Sequence, residues 1–218
     1  MNASQSPDAL LLLTSQCPHC PVVLASLTEL IKRGEIGRLE VVNLECHPQA
    51  AQALGVRSVP WLRIGPFELP GARSAAELAQ WASRALTAAK PDGYADAFHD
   101  LLKQADLQQV RRLIQADPAR LASLLPIVAN PEASLNVKLG GGVLFEDYAG
   151  DAALQVLVDD LGELTRHDDA RVRADAAHLL SLTQAVAALP WLRAALRDAD
   201  AEVREIAAES LQSLGESA

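Results

Sequence analysis

Cys17-Pro18-His19-Cys20 follows the apolar run Leu10 to Leu13 and precedes Val22 to Lys32, a stretch with the spacing of an amphipathic helix. A dithiol in that setting is a candidate redox centre. At a helix start, unpaired backbone N–H groups and the positive end of the macrodipole favour a thiolate at Cys17. Cys20 is expected one turn inside, close enough to close a disulfide. Pro18 has no N–H to leave unsatisfied, and its fixed φ suits a first helical position. His19, when protonated, favours the thiolate further.

Further along lies Gly55-Val56-Arg57-Ser58-Val59-Pro60-Trp61-Leu62-Arg63-Ile64-Gly65. Taken with the dithiol, this segment resembles the thioredoxin superfamily, in which a dithiol at the first helix faces a cis-proline that opens a later strand. The resemblance implies that Pro60 is that cis-proline, and that Ser58 and Val59 offer backbone contacts to an extended substrate segment. With Pro21 following, Cys-Pro-His-Cys-Pro is most similar to glutaredoxin-like protein disulfide oxidoreductases and to the redox domain of bacterial alkyl hydroperoxide reductase flavoproteins. The resemblance covers roughly residues 9–88. It implies Cys17, Cys20 and His19 as catalytic residues, with no cofactor and no metal.

The residues between the two motifs fit an α/β thioredoxin-like domain. Leu39 to Leu44 reads as a strand and Pro48 to Leu54 as a short helix; Trp61 to Ile64 and Phe67 to Leu69 flank a Gly65-Pro66 turn; Ser74 caps a last helix running to about Ala88. The order β-α-β-α-β-β-α is the minimal unit of that family. Two departures stand out. Gln16 replaces the tryptophan usual before a thioredoxin dithiol, and the first strand carries leucines where thioredoxin places a buried acid, which leaves the proton acceptor for the resolving thiol unassigned. A Cys-x-x-Cys can also be half a zinc site, which Cys46-His47 would complete as Cys₃His. Against this stand the helix start and the Val-Pro strand entry. Cys46 alone is expected to be a semi-buried small residue, His47 a solvated loop or cap residue, Trp61 part of the core, and Gly71 a turn or a lining of the groove.

The 218 residues carry a formal charge of −9, which argues against nucleic acid or an anionic membrane surface as partner. No basic segment followed by a long apolar run marks a signal peptide, and three cysteines, two in one motif, suit a reducing compartment; a cytoplasmic location is expected. Charge is unevenly spread. Residues 1–90 hold 8 Lys and Arg against 7 Asp and Glu, whereas residues 91–218 hold 11 against 21. The change falls at Ala89-Lys90-Pro91-Asp92-Gly93, read as a linker between a thioredoxin-like domain at 1–90 and an all-α domain at 91–218.

That second region repeats itself. Asp169, Val172, Arg173, Ala176, Ala177 and Leu180 recur 31 residues later as Asp200, Val203, Arg204, Ala207, Ala208 and Leu211. The pattern resembles HEAT repeats and implies an α-solenoid. Val137-Lys138, Gly141-Gly142 and Phe145 fall on the same places at an offset of 35, so a more divergent repeat is expected there, with Gly140-Gly141-Gly142 where helices touch. Asp106 and Asp117-Pro118 read as helix N-caps. Arg173 and Arg204 are expected in inter-repeat ion pairs and caps; His167 and His178 on a loop and a helix face. Asp147, Asp151, Asp159, Asp160 and Glu163 form either an acidic surface for a basic partner or a solubilising one. The whole implies a thiol-disulfide oxidoreductase whose repeats recruit protein thiol or disulfide clients, with a thiol reductant or glutathione as second partner. The alternative is a redox-regulated adaptor or chaperone-like binding protein with little turnover.

Overall fold

The centre of the N-terminal part is β1 (Asp8–Leu13), hydrogen-bonded on both sides in a four-stranded sheet of order β2-β1-β3-β4. The computed structural model describes residues 6–88, 90 and 93–216. The chain divides into two compact units, Met1–Gly93 and Tyr94–Ala218. Of the expected linker, Ala89, Pro91 and Asp92 lie outside the described residues.

Leu11 and Leu12 are both fully buried. Successive strand residues point to opposite faces, so burial of both means that the sheet is covered on each side. After β1 come α1 (Cys20–Lys32), β2 (Arg38–Asn43) and α2 (Pro48–Leu54), and then β3 (Trp61–Ile64), β4 (Phe67–Pro70) and α3 (Ala75–Thr87). β2 runs parallel to β1 with Leu13 beside Asn43; β3 runs antiparallel to it with Leu12 opposite Trp61. α1 turns Val23, Leu27 and Leu30 inward at helical spacing, and packs against α3. Phe67 and Trp81 meet at 5.2 Å between ring centroids within this core. Ser74 closes α3 as a capping box: its N–H and hydroxyl both donate to Glu77, and these bonds hold the Glu77 carboxyl below its usual range.

The second unit is helical: α4 (Ala95–Lys103), α5 (Leu107–Ala116), a 3₁₀ segment at Pro118–Leu124, α6 (Leu125–Val128), α7 (Leu135–Glu146) and α8 (Ala152–Gln155), then α9 (Val158–Leu164), α10 (Ala170–Leu182), α11 (Leu189–Ala195) and α12 (Ala201–Ser213). α10 packs on α9, α12, α11 and α7. Equivalent positions are buried in three helices: Val137 and Phe145 on α7, Val172, Ala176 and Leu180 on α10, Val203, Ala207 and Leu211 on α12. Asp169 and Asp200 cap α10 and α12 through their side chains. Asp106 caps α5 in the same way, whereas Asp117 caps a 3₁₀ turn.

The 31-residue period extends to individual hydrogen bonds. Arg173 donates to the carbonyls of His167 and Asp168, and Arg204 to those of Asp198 and Ala199. The Asp169 N–H is taken by His167 Nδ1, and the Asp200 N–H by Asp198 Oδ1. Arg173 then reaches into the next loop with a two-bond pair to Asp198, at 2.8 and 2.7 Å. Arg204 keeps the bonds to its own loop carbonyls, so of the two expected inter-repeat ion pairs only that of Arg173 forms among the described residues. The glycines also part company. A Cβ on Gly140 would lie 2.7 Å from Leu102, and one on Gly141 in ordinary contact with Ile127, whereas Gly142 has open space.

Candidate active site

Everything expected at the site gathers at one end of the sheet. β1 and β2 finish there, β3 begins there, and β4 finishes there, because β2 is parallel to β1 while β3 is antiparallel to it and to β4. The loop from Leu13 carries Cys17 at this end. Pro60 precedes Trp61, the partner of Leu12, and so lies at the same end.

Cys17 and Cys20 are joined in a disulfide with Cα atoms 5.5 Å apart. α1 begins at Cys20, with His19 at the N-cap and Pro21 in the first turn. This corrects the expected start: Pro18 stands before the helix, and Cys20 opens it rather than lying a turn inside. A helix-terminal backbone donor still faces Cys17. The Cys20 N–H, one of the orphan donors of the first turn, points at Cys17 Sγ from 3.2 Å. Both cysteines are buried, Cys20 at 2% exposure and Cys17 at 9%, beside exposed Pro18 and His19. Cys17 is the more accessible of the two.

The Val59-Pro60 bond is cis. Pro60 is buried, Val59 half-buried and Ser58 exposed. Among the described residues no backbone hydrogen bond involves Ser58 or Val59, which leaves donors and acceptors to pair with an extended segment. The Pro60 carbonyl is taken by the Gly71 N–H at 2.9 Å. Gly71 has φ +84°, a conformation that favours glycine, so the turn after β4 is shaped around that bond.

On the β2 side of the Cys17 loop, away from Pro60, lies a network that sequence spacing does not reveal. Ser15, two residues before Cys17, donates from its N–H to Glu45 Oε1 at 3.1 Å and from its hydroxyl to Glu45 Oε2 at 2.7 Å. Asn43 Nδ2 donates to Ser15 Oγ, and Asn43 Oδ1 accepts the Glu45 N–H. Thr14 carbonyl in turn takes the Cys17 N–H. Cys46, the next residue after Glu45, is exposed rather than semi-buried, and His47 sits exposed at the N-cap of α2. No group of three or more His, Cys, Asp or Glu side chains suited to a metal occurs among the described residues. Trp61 is buried in the core.

Residues 9–83 match the family model of the thioredoxin domain. The N-terminal unit is thioredoxin-like. Residues 150–218 match the model of HEAT repeats, which covers α8 to α12 and leaves the glycine-bearing α7 outside. No curated protein matches the chain. A thioredoxin domain is thus followed by HEAT repeats in one polypeptide, and no helix among the described residues is long and apolar enough to cross a membrane.

Three of the five acids singled out on the helical unit have partners within it, and two lie exposed at a helix start. Asp147 pairs with Arg111 at 2.6 Å, Asp151 caps α8, Asp159 and Asp160 lie in the first turn of α9, where the macrodipole favours them, and Glu163 pairs with Arg166. His167 is the loop acceptor already described, and His178 lies on the exposed face of α10.

Proposed function

We propose that the chain is a thiol-disulfide oxidoreductase using the Cys17-Pro18-His19-Cys20 dithiol, with the HEAT repeats recruiting protein clients. The observation that carries the reading is the helix-terminal N–H of Cys20 aimed at the sulfur of Cys17, the more exposed of the two. In the reduced form that N–H, together with His19 when protonated, favours the Cys17 thiolate.

The thiolate attacks one sulfur of a client disulfide; a mixed disulfide forms, and the client's other sulfur leaves as a thiolate and takes a proton. Cys20, losing its proton, attacks Cys17 Sγ, which closes the intramolecular disulfide and releases the second client thiol. The client gains two electrons and two protons and the dithiol loses them. A thiol reductant, glutathione or a partner dithiol, returns them. The backbone of Ser58 and Val59 and the Pro60 turn hold the client segment extended beside Cys17. The division of labour places this chemistry in residues 1–90 and client selection in residues 91–218, in a cytoplasmic setting where such a couple is continually re-reduced.

The test is turnover of a small model disulfide by the whole chain with excess glutathione. Cys17→Ser is expected to abolish it, and Cys20→Ser, incubated with the model disulfide without glutathione, to stop at a mixed disulfide visible by mass spectrometry. Turnover that survives Cys17→Ser would overturn the mechanism. A wild-type chain that binds partners without turnover, whether or not the cysteines are present, would favour the adaptor reading instead.

A further inference from the structure

The face of the helical unit formed by α7, α10 and α12 holds a feature that the redox chemistry does not use. Leu135, Leu139 and Val143 succeed one another at four-residue spacing on one side of α7, and they are 69%, 60% and 38% exposed. The core is served by the opposite side of the helix, through Val137, Gly141, Leu144 and Phe145. Next to the stripe, between α7 and α10, lies a cleft of about 290 Å³ with Ile127, Phe145 and Leu179 in its lining. Gly142 borders that cleft and keeps it open, since a Cβ built there meets no atom within 4 Å. A helix-interior glycine costs stability relative to alanine. Packing within the unit accounts for Gly140, against Leu102, but not for Gly142.

The polar margin of the cleft is balanced in charge, with Asp175 3.8 Å from Lys138 and His178 beside them. Burial pushes the Asp175 carboxyl up in spite of that neighbour, so the acidic excess of this face comes from α12 beyond the cleft. Past His178 the depression continues into a more polar hollow of about 420 Å³ between α10 and α12, bordered by Glu209. Glu202, Glu205 and Glu209 share the outward face of α12, and none of them is in an ion pair among the described residues. A second copy of the chain is a poor occupant, because residues 94–218 hold 20 Asp and Glu against 11 Lys and Arg and would face their own charge.

We propose that this face docks a basic amphipathic helix from a partner protein, its apolar side chains on Leu135, Leu139 and the open cleft at Gly142, its Lys or Arg side chains toward Glu205 and Glu209. The proposal rests on the reading of the repeats as a recruiting unit and names the chemistry they recruit. Three helix axes at ordinary packing distances span about 20 Å, the length of roughly 13 helical residues.

The test selects a phage-displayed library of random peptides, about 16 residues long, on the full oxidised chain. Enriched peptides are expected to carry apolar residues three or four apart with Lys or Arg between them, and to bind less tightly as salt is raised. Gly142→Leu fills the cleft without changing charge, and Leu139→Glu breaks the stripe; each is expected to weaken binding at least about tenfold, and Glu209→Lys several-fold. Thermal melts of the variants check that the unit remains folded. No enrichment, enriched peptides without basic residues, or binding unchanged in both Gly142→Leu and Leu139→Glu would each overturn the proposal. So would self-association, seen by sedimentation and abolished by Leu139→Glu, which would make a second copy the occupant. The same substitutions in the full-length Cys20→Ser trap separate this idea from the redox reading: unchanged capture of partners defeats the docking face alone, and peptide binding with no disulfide capture defeats the redox reading alone.

Discussion

Both oxygens of the Glu45 carboxylate are bound by Ser15, one by its N–H and one by its hydroxyl, although the two residues are thirty positions apart in sequence. The pair fastens the loop that leads to Cys17 onto the loop that leaves β2. Asn43 closes the arrangement from the end of that strand. The turn that presents the sulfur is thus set by a side chain that spacing around the dithiol gives no reason to select.

Replacing Glu45 with alanine should therefore affect exchange more than folding. The bonds are exposed, so the loss of stability is expected to be about 1 kcal/mol or less, while kcat/KM on a model disulfide falls several-fold. Glu45→Gln, which keeps one acceptor for Ser15, should retain most of the rate. Equal rates for wild type and Glu45→Ala would show that the loop holds Cys17 without the clamp.

In the reduced chain, Cys17 should titrate below the ordinary thiol value of about 8.5. Near neutral pH it should react with an alkylating reagent ahead of Cys46, although Cys46 is the more exposed. His19→Ala should slow that reaction and make the couple more reducing. The wild-type potential is expected above about −270 mV, because a cation that favours the thiolate stabilises the reduced state. Equal alkylation of Cys17 and Cys46, or a potential indifferent to His19→Ala, would count against a helix-terminal thiolate tuned by histidine.

Arg173 gives the second unit an acid-sensitive joint. Its hydrogen bonds are the main cause holding the Asp198 carboxyl below its usual range; partial burial opposes them, and the Asp200 N–H adds to the lowering. A carboxyl depressed by folding contributes stability in full above its unfolded pKa of about 3.9, and that contribution is lost as pH falls through the lower folded value. Asp198→Asn is expected to flatten this acid limb and to cost about 2 kcal/mol at neutral pH, since the arginine partner is largely buried. Chemical denaturation at a series of pH values measures both. Parallel curves for the two proteins would show that the joint does not titrate with folding.

Gly162 tests the packing between repeats. A Cβ there would collide with the ring of Trp191, over which the Arg166 guanidinium stacks at 4.7 Å. Alanine is the better helix former by about 1 kcal/mol, yet Gly162→Ala should lower stability by about 1–2 kcal/mol because the ring must shift. A rise in melting temperature would mean that Trp191 moves aside freely.

How far these features can be read in the sequence depends on how locally they are determined. The elements of the first unit follow from short apolar runs, from the Gly65-Pro66 turn and from the Ser74 cap, all local signals. The start of α1 was less legible. Pro18 and Pro21 both suit a first turn, and His19 makes no side-chain cap that would mark the boundary in advance. Ser15–Glu45 was invisible because it depends on the parallel register of β1 with β2. In the second unit the 31-residue repeat revealed Arg173, whose bonds recur with the period. It could not say that Arg204 would end at its own loop. Nor could it distinguish Gly140 from Gly142, which differ only in the side of α7 that each occupies.

The unequal burial of the two cysteines has a stereochemical consequence. Cys20 opens α1 and is 2% exposed against 9% for Cys17, so a molecule in solution reaches Cys17 the more readily. On the proposed redox reading, covalent traffic with other molecules is then confined to a single atom. A client held at Cys17 would be released by the intramolecular neighbour or by a thiol small enough to approach along the client's own path, so that the lifetime of each covalent complex would be set from within the chain.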